Sequence, residues 1–174
     1  LDHLDYLQEL GVDVLYLNPI NTAPSTHKYD AADFYHVDPA FGGDEALHRL
    51  VEGLHRRGMR IIVDASFNHC HPRFFAFQDV MQRGQCSPYW NWFTIYQHPI
   101  VVRYRPHLIS GRYADFIGRF PESTGIPLEV ASGEGPRAEP SYLAWYDVLT
   151  MPKLNQRNPA TRAYFMDVAA HWLR

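Results

Sequence analysis

The chain has 174 residues, of which 46% are apolar and 20% charged, a composition typical of a globular protein rather than a disordered one. The net charge is only −3 and no apolar run approaches the roughly 18 residues that span a bilayer, so neither nucleic acid nor a membrane is expected as a partner. Two cysteines, Cys70 and Cys86, are too few for a disulfide framework and favour a reducing compartment such as the cytoplasm.

The first half of the chain alternates helical and extended patterns. Leucines at helical spacing predict a helix over 1–10, and Gly11 predicts where it ends. The pattern then predicts a strand over 12–17, a long loop over 18–43, a helix over 44–58 capped by Asp44, and a strand over 59–63. This order is a βαβ unit with parallel strands, and the apolar 59–63 strand is expected to be covered on both faces.

Residues 70–150 break this regular order and are rich in proline, glycine and aromatic residues. They predict a helix over 72–84, strands over 99–105 and 141–148, and an exposed loop over 132–140. Because about 80 residues are too many for a loop, we interpret this stretch as a small inserted subdomain. Most of its large aromatic residues are expected to pack its core, namely Trp90, Trp92, Tyr96 and Trp145.

Both ends of the sequence fall inside predicted helices. The first helical pattern starts at Leu1 with no cap before it, whereas the last helix begins well, with Asn158 as N-cap and Pro159 at its first position. No stop signal precedes Arg174. The chain is therefore expected to be a fragment, and the missing N-terminus leaves localisation open.

Polar side chains follow the carboxyl ends of both predicted parallel strands, which is where parallel α/β folds bind ligands. Asp64, Asn68 and His69 follow the 59–63 strand, while Tyr29 and Asp30 lie in the loop after the first strand. The alternative is that Asp64 caps a turn and that His69 is an ordinary loop histidine. A zinc site at "HCH" (69–71) with Cys86 is disfavoured because the paired C-x-x-C spacing is absent.

Four stretches in the sequence resemble the α-amylase family, glycoside hydrolase family 13. They are "LDYLQELGVDVLYLNPI" (4–20), "HKYDAADFYHVDPAFGG" (27–43), "DASFNH" (64–69) and "MPKLN" (151–155). They occur in family order at plausible separations, and the M-P-K-L-N form is that of neopullulanases, cyclomaltodextrinases and maltogenic amylases. The resemblance implies an α/β fold, a fragment of a (β/α)₈ TIM barrel from the second strand to the third helix. It also implies three segments: partial barrel over 1–69, inserted domain B over 70–150, and return to the barrel over 151–174.

The resemblance also implies roles for residues in the chain. Tyr29 would be the aromatic platform under the sugar at the cleavage subsite, His69 would bond a hydroxyl of that sugar, and Asp30 would be a further sugar contact. Asp64 would orient an arginine near the nucleophile. Because domain B borders the cleft in the family, the alternative to core packing for some of its large aromatic residues is a sugar-stacking wall. Supporting roles would fall to Asn68, which would hold the domain B connection and ligate calcium in calcium-dependent members, and to Asn155, which would bond the loop backbone.

The activity implied is retaining hydrolysis or transglycosylation of α-1,4 glucosidic bonds, with α-1,6 bonds as an open alternative, in maltooligosaccharides, cyclodextrins or pullulan. The nucleophile Asp and the acid Glu are expected beyond Arg174, so the chain alone should be inactive. No organic cofactor is required; calcium and a homodimer of the full-length protein stay open. The alternatives are a trehalose synthase, a sucrose isomerase, a branching enzyme, or a non-catalytic glucan-binding homologue.

Overall fold

The computed structural model describes residues 2–173, which form two compact units, one ending at Ser66 and the other beginning at Phe67. The first unit contains helix α1 (Leu4–Glu9), strand β1 (Val14–Leu17), helix α2 (Gly43–His55) and strand β2 (Arg60–Val63). The two strands pair in parallel, with Leu15 opposite Ile61. The predicted βαβ unit is therefore confirmed, with each element shorter than the pattern indicated.

One apolar cluster in the first unit joins its helices to its strands. Leu4, Leu54 and Met59 are its buried residues, and partly buried apolar side chains such as Leu15 and Ile61 pack against them. Removing these apolar groups from water is the main contribution to the stability of such a cluster. It fastens α1 and α2 to the same face of the sheet.

Two local predictions in this unit are wrong. Asp44 does not cap α2, because the helix begins at Gly43 and the Asp44 carboxylate instead accepts a hydrogen bond from the backbone N–H of Val37 at 2.7 Å. The β2 strand is not covered on both faces, because its side chains alternate and Ile62 is exposed while Ile61 faces the core.

The described part of the second unit contains three α-helices and five strands. They are α3 (Phe75–Arg83), β3 (Val102–Tyr104), α4 (Arg112–Thr124), β4 (Leu128–Val130), β5 (Ala138–Pro140), β6 (Ala144–Trp145), β7 (Val148–Pro152) and α5 (Pro159–Trp172). The sheet order is β4-β3-β5, with β4 parallel and β5 antiparallel to β3, and β6 and β7 form a separate hairpin. As expected, Asn158 caps α5, since its carboxamide oxygen accepts from the N–H groups of Ala160 and Thr161.

The structure corrects three predictions in this unit. Residues 138–140 of the predicted exposed loop form β5, because they pair with β3. The predicted strand over 141–148 is interrupted at 146–147, which form the turn between β6 and β7. Helix α4 lies outside the predicted elements; it contains Gly118 and Pro121 and is anchored by its buried face at Ile117 and Phe120. Among the aromatic residues expected in the core, Trp92 is buried but Tyr96 is exposed.

No helix in the described part of the chain, residues 2–173, is both long enough and apolar enough to cross a bilayer.

Candidate functional site

Tyr29 and Asp64, two predicted site residues 35 positions apart, are in direct contact within the first unit. The Tyr29 hydroxyl donates to Asp64 Oδ2 at 2.6 Å. Asp64 lies at the end of β2, where its own N–H donates to the carbonyl of Leu17 at 2.9 Å. The two strand ends are thereby joined at the edge where a parallel sheet presents ligand-binding side chains.

The Asp64 carboxylate raises the pKa of the neighbouring Tyr29. Donation to Asp64 is the largest cause that raises the pKa of Tyr29 above its ordinary value. The pKa of Tyr16 on β1 is raised as well, first by partial burial and then by Asp64. Tyr29 can therefore act as a hydrogen-bond donor with a fixed ring over the whole physiological pH range.

A buried ion pair holds the loop that carries Tyr29. Lys28 Nζ donates to Asp38 Oδ2 at 2.6 Å and to the carbonyl of Ala23 at 2.8 Å, and both charged side chains are nearly buried. Asp38 also accepts from the N–H of Ala40 at 2.9 Å and caps the short 3-10 turn over Pro39–Phe41. Lys28 adopts a left-handed backbone conformation, φ 62°, which sets the direction of the chain into Tyr29.

Asp30 points into the loop and is buried. One of its carboxylate oxygens accepts a hydrogen bond from the Ser25 hydroxyl, and Ser25 Oγ in turn accepts from the N–H of Lys28 at 3.1 Å. These contacts give Asp30 a part in holding the loop. Its contact with a sugar stays a prediction.

In the second unit, the segment containing Asn68 and His69 pairs with the M-P-K-L-N segment. His69 and Lys153 form an antiparallel bridge, the N–H of Leu154 donates to the carbonyl of Asn68 at 2.9 Å, and the N–H of Cys70 donates to the carbonyl of Pro152 at 3.1 Å. Two motifs far apart in sequence are therefore one piece of backbone structure. This pairing fixes the backbone position from which the His69 side chain extends.

Trp145, expected from its sequence to pack the core of the inserted segment, holds the His69 ring. The imidazole is buried and stacks on the Trp145 indole, with 4.8 Å between ring centroids and an interplanar angle of 27°. The signal that could have shown this is the position of Trp145 in a hairpin that returns directly to Met151. A stacked ring loses rotational freedom, so the imidazole is preorganised.

Asn68 and Asn155 both line a pocket of about 410 Å³ in the second unit, together with Thr94, Leu143, Lys153, Leu154, Gln156 and Arg157. As expected, Asn155 bonds the loop backbone, because its Nδ2 donates to the carbonyl of Asn91 at 3.0 Å and its Oδ1 accepts from the N–H of Arg157 at 3.2 Å. The supporting roles of both asparagines toward a substrate stay predictions.

The zinc alternative gains no support. Among residues 2–173, no three His, Cys, Asp or Glu side chains are grouped so as to hold a metal ion. Cys70 is buried, which raises its pKa well above the ordinary value of 9.0, whereas Cys86 is exposed, and both are free thiols. A calcium contact by Asn68 stays a prediction.

Comparison with known proteins gives consistent matches over the whole chain. The family model for the alpha amylase catalytic domain matches residues 1–174. The chain is 38% identical over 175 residues to a cyclomaltodextrinase from Thermoanaerobacter pseudethanolicus, covering 100% of the chain and 25% of that protein. It is 39% identical over 173 residues to neopullulanase 2 from Thermoactinomyces vulgaris, covering 99% of the chain and 24% of that protein.

A solved structure shows the same similarity. The debranching enzyme from Nostoc punctiforme superimposes with a TM-score of 0.73 at 33% identity, covering 99% of this chain and 29% of that one. The matching structures are TIM-barrel enzymes, and the chain spans about a quarter of the length of the curated relatives it matches. The chain belongs to the α-amylase family of glycoside hydrolases.

Proposed function

We propose that this chain is part of the catalytic domain of a retaining α-glucan hydrolase that acts on cyclodextrins and linear maltooligosaccharides. The observation that carries the proposal is the match of the entire chain, at 38–39% identity, to a cyclomaltodextrinase and a neopullulanase. The chain would supply the second strand to the third helix of the (β/α)₈ barrel, with residues 70–150 as the inserted domain.

In a retaining mechanism one carboxylate attacks the anomeric carbon while a second carboxylic acid, about 5–5.5 Å away, protonates the leaving oxygen. We assign neither role to a residue of this chain and expect both carboxylates beyond Arg174. The chain's contribution is to hold the sugar: Tyr29 under the ring, with Asp30 as a further contact, and His69 as a donor to a hydroxyl.

The surroundings of Tyr29 and His69 support those roles. Asp64 fixes the Tyr29 hydroxyl at 2.6 Å, and Trp145 together with the Lys153 bridge fixes the imidazole. Preorganised contacts cost little reorganisation when substrate arrives, which is how binding residues assist catalysis. In the proposal Asp64 also orients an arginine, Asn68 holds the connection to the inserted domain, and Asn155 bonds the loop backbone.

Cleavage of α-1,6 linkages is a second candidate, since one matching structure is named a debranching enzyme. The two activities are distinguished by incubating the full-length protein with β-cyclodextrin, pullulan, maltose, maltotriose and sucrose and identifying the products. Hydrolysis of cyclodextrin with the α-anomer released first, by proton NMR, is the expected result. If sucrose were the one substrate converted, the protein would be a sucrose isomerase. Formation of trehalose from maltose would indicate a trehalose synthase, and formation of α-1,6 branches without net hydrolysis would indicate a branching enzyme.

The same assay tests the alternative of a non-catalytic homologue. If the full-length protein binds maltooligosaccharides but releases no reducing sugar from any of them, the hydrolase proposal is wrong. The 174-residue chain alone is expected to release none, and measurable turnover by it would contradict the proposal that the nucleophile lies outside this chain.

A further inference from the structure

A second pocket in the second unit lies beside the β6–β7 hairpin and is not used in the function proposed above. Its volume is about 250 Å³, and it is lined by Tyr96, Glu139 and Asp147 together with Pro136, Ala138, Pro140, Tyr142, Leu143 and Ala144. This is below the roughly 300–1,000 Å³ of pockets for drug-sized ligands, so the space suits a single small ring.

Tyr96 presents an exposed ring on a fixed backbone. Tyr96 is 63% exposed. Its backbone is nevertheless fixed, because its N–H donates to the carbonyl of Ser141 at 2.8 Å and the preceding residue, Ile95, forms an antiparallel bridge with Tyr142. Tyr142 is buried and its hydroxyl donates to the carbonyl of Leu149. The aromatic surface is therefore held in place by buried structure beneath it.

Glu139 is oriented by a buried arginine. Arg105 Nη2 donates to Glu139 Oε1 at 2.9 Å, and Arg105 Nη1 donates to the carbonyl of Pro136. The Arg105 side chain is 6% exposed, whereas the Glu139 side chain is 43% exposed. One end of the carboxylate is therefore tied down and its charge is offset, while much of its surface stays available to a ligand.

Asp147 lines the pocket from a turn whose backbone has positive φ. Tyr146 and Asp147 form the two-residue turn between β6 and β7, and both have positive φ, 47° and 58°. Such turns favour Asn, Asp and Gly, so the hairpin holds Tyr146 against its local preference, whereas Asp147 is a residue type that tolerates its position. Backbone outliers of this kind concentrate at ligand-binding sites.

We propose that this pocket binds one α-glucosyl residue of a glucan, with a face of the pyranose on Tyr96 and its hydroxyls donating to Glu139 and Asp147. Ionised carboxylates only accept hydrogen bonds, so the ligand must supply donors. The tyrosine and proline surfaces require an apolar face on the same ligand. A pyranose has both features, and the Arg105–Glu139 pair leaves the site weakly charged, which favours a neutral ligand over an amine. This inference rests on the proposed function, because it takes the same α-glucan as ligand.

The test uses the full-length protein and thio-linked maltotriose, whose sulphur bridges resist hydrolysis, in isothermal titration calorimetry. Tyr96→Ala and Glu139→Gln are each expected to weaken binding at one site by about threefold to tenfold, the range of one aromatic contact or one charged hydrogen bond. Tyr6→Ala is the matched control for the first, since Tyr6 on α1 is 61% exposed. Glu129→Gln is the control for the second, since Glu129 pairs with Arg103 at 3.2 Å and its side chain is 45% exposed.

The result that overturns the inference is unchanged affinity at every site in Tyr96→Ala and in Glu139→Gln. Equal weakening in the variants and their matched controls would overturn it as well. Tyr96→Ala removes only an exposed ring, so it decides the matter even if Glu139→Gln lowers the melting temperature. If the protein hydrolyses cyclodextrin but neither variant changes its affinity for maltotriose, the glucan site in this pocket is refuted and the proposed function stands. If the variants weaken binding but the protein hydrolyses nothing, the proposed function is refuted and the glucan site stands.

Discussion

The Lys28–Asp38 ion pair is expected to determine the local stability of the loop that carries Tyr29. The two side chains are only 10% and 11% exposed, with 2.6 Å between Lys28 Nζ and Asp38 Oδ2. Asp38→Asn keeps the shape but removes the negative charge, so the buried Lys28 ammonium loses its carboxylate partner and is left with neutral acceptors such as the Ala23 carbonyl. Removing one partner of a buried pair costs about 3 kcal/mol.

That cost is measurable by hydrogen exchange in the full-length protein. The backbone N–H groups of Ala23 and Ala40 donate to Asp38, so their exchange reports opening of the loop. A loss of about 3 kcal/mol corresponds to exchange about a hundredfold faster at these two amides. Activity on β-cyclodextrin should fall in the same variant, because Tyr29 would no longer be held in one position.

Asp5→Asn is the matched control. Arg57 Nη2 lies 2.6 Å from Asp5 Oδ1, the same separation as in the buried pair, but the Asp5 side chain is 78% exposed. Exposed pairs contribute roughly 0–1 kcal/mol, so exchange and melting should hardly change. If Asp38→Asn altered exchange no more than Asp5→Asn does, burial would not be what makes the Lys28–Asp38 pair stabilising.

The pH dependence has a definite sign. The Lys28 ammonium, aided by the N–H groups of Ala40 and Ala23, holds the pKa of Asp38 below its ordinary 3.8. A carboxyl group with a lowered folded pKa contributes stability above the unfolded value and loses it as pH falls through the folded value. The difference between wild type and Asp38→Asn should be full at pH 7 and should shrink below pH 3.8. A difference that stays constant down to the acid transition would contradict this assignment.

Three further predictions concern single groups. Tyr29→Phe removes the hydroxyl bond to Asp64 and should lower kcat/KM on maltotriose about tenfold, while an unchanged value would show that the bond does not orient the ring. In an NMR titration the midpoint of His36 should lie above pH 6.5, because the Asp33 carboxylate stabilises the imidazolium, and Asp33→Asn should lower that midpoint. Any stability that the His36–Asp33 pair contributes is present below pH 6.5 and is lost as the pH rises through the folded midpoint. A thiol reagent should label Cys86 within this chain under native conditions and leave the buried Cys70 unlabelled until unfolding.

Local sequence patterns were sufficient for the βαβ unit. Apolar runs interrupted by Gly11 and Gly58 mark the elements, and both glycines have positive φ at helix ends, as helix termination favours. They were insufficient for α4, because Gly118 and Pro121 weaken helix propensity and burial of Phe120 overrides it. Nor could they find β5, since a strand of three residues is specified by its partner in the sheet.

The candidate site divides in the same way. Position after parallel strands predicted Tyr29 and Asp64 at one sheet edge, and their hydroxyl–carboxylate contact is what that geometry allows. The stacking of Trp145 on His69 depends on how a distant hairpin packs, and no local pattern encodes that distance. Supports of this kind are tertiary, so they emerge only when side chains are placed in space.

The most direct measurement is a crystal structure of the full-length protein soaked with a slowly cleaved maltooligosaccharide. We expect one glucosyl ring that stacks on Tyr29 and donates or accepts a hydrogen bond at the His69 imidazole, in a cleft that also holds two catalytic carboxylates about 5–5.5 Å apart. A glucan seated elsewhere, with Tyr29 and His69 touching different molecules or none, would contradict it.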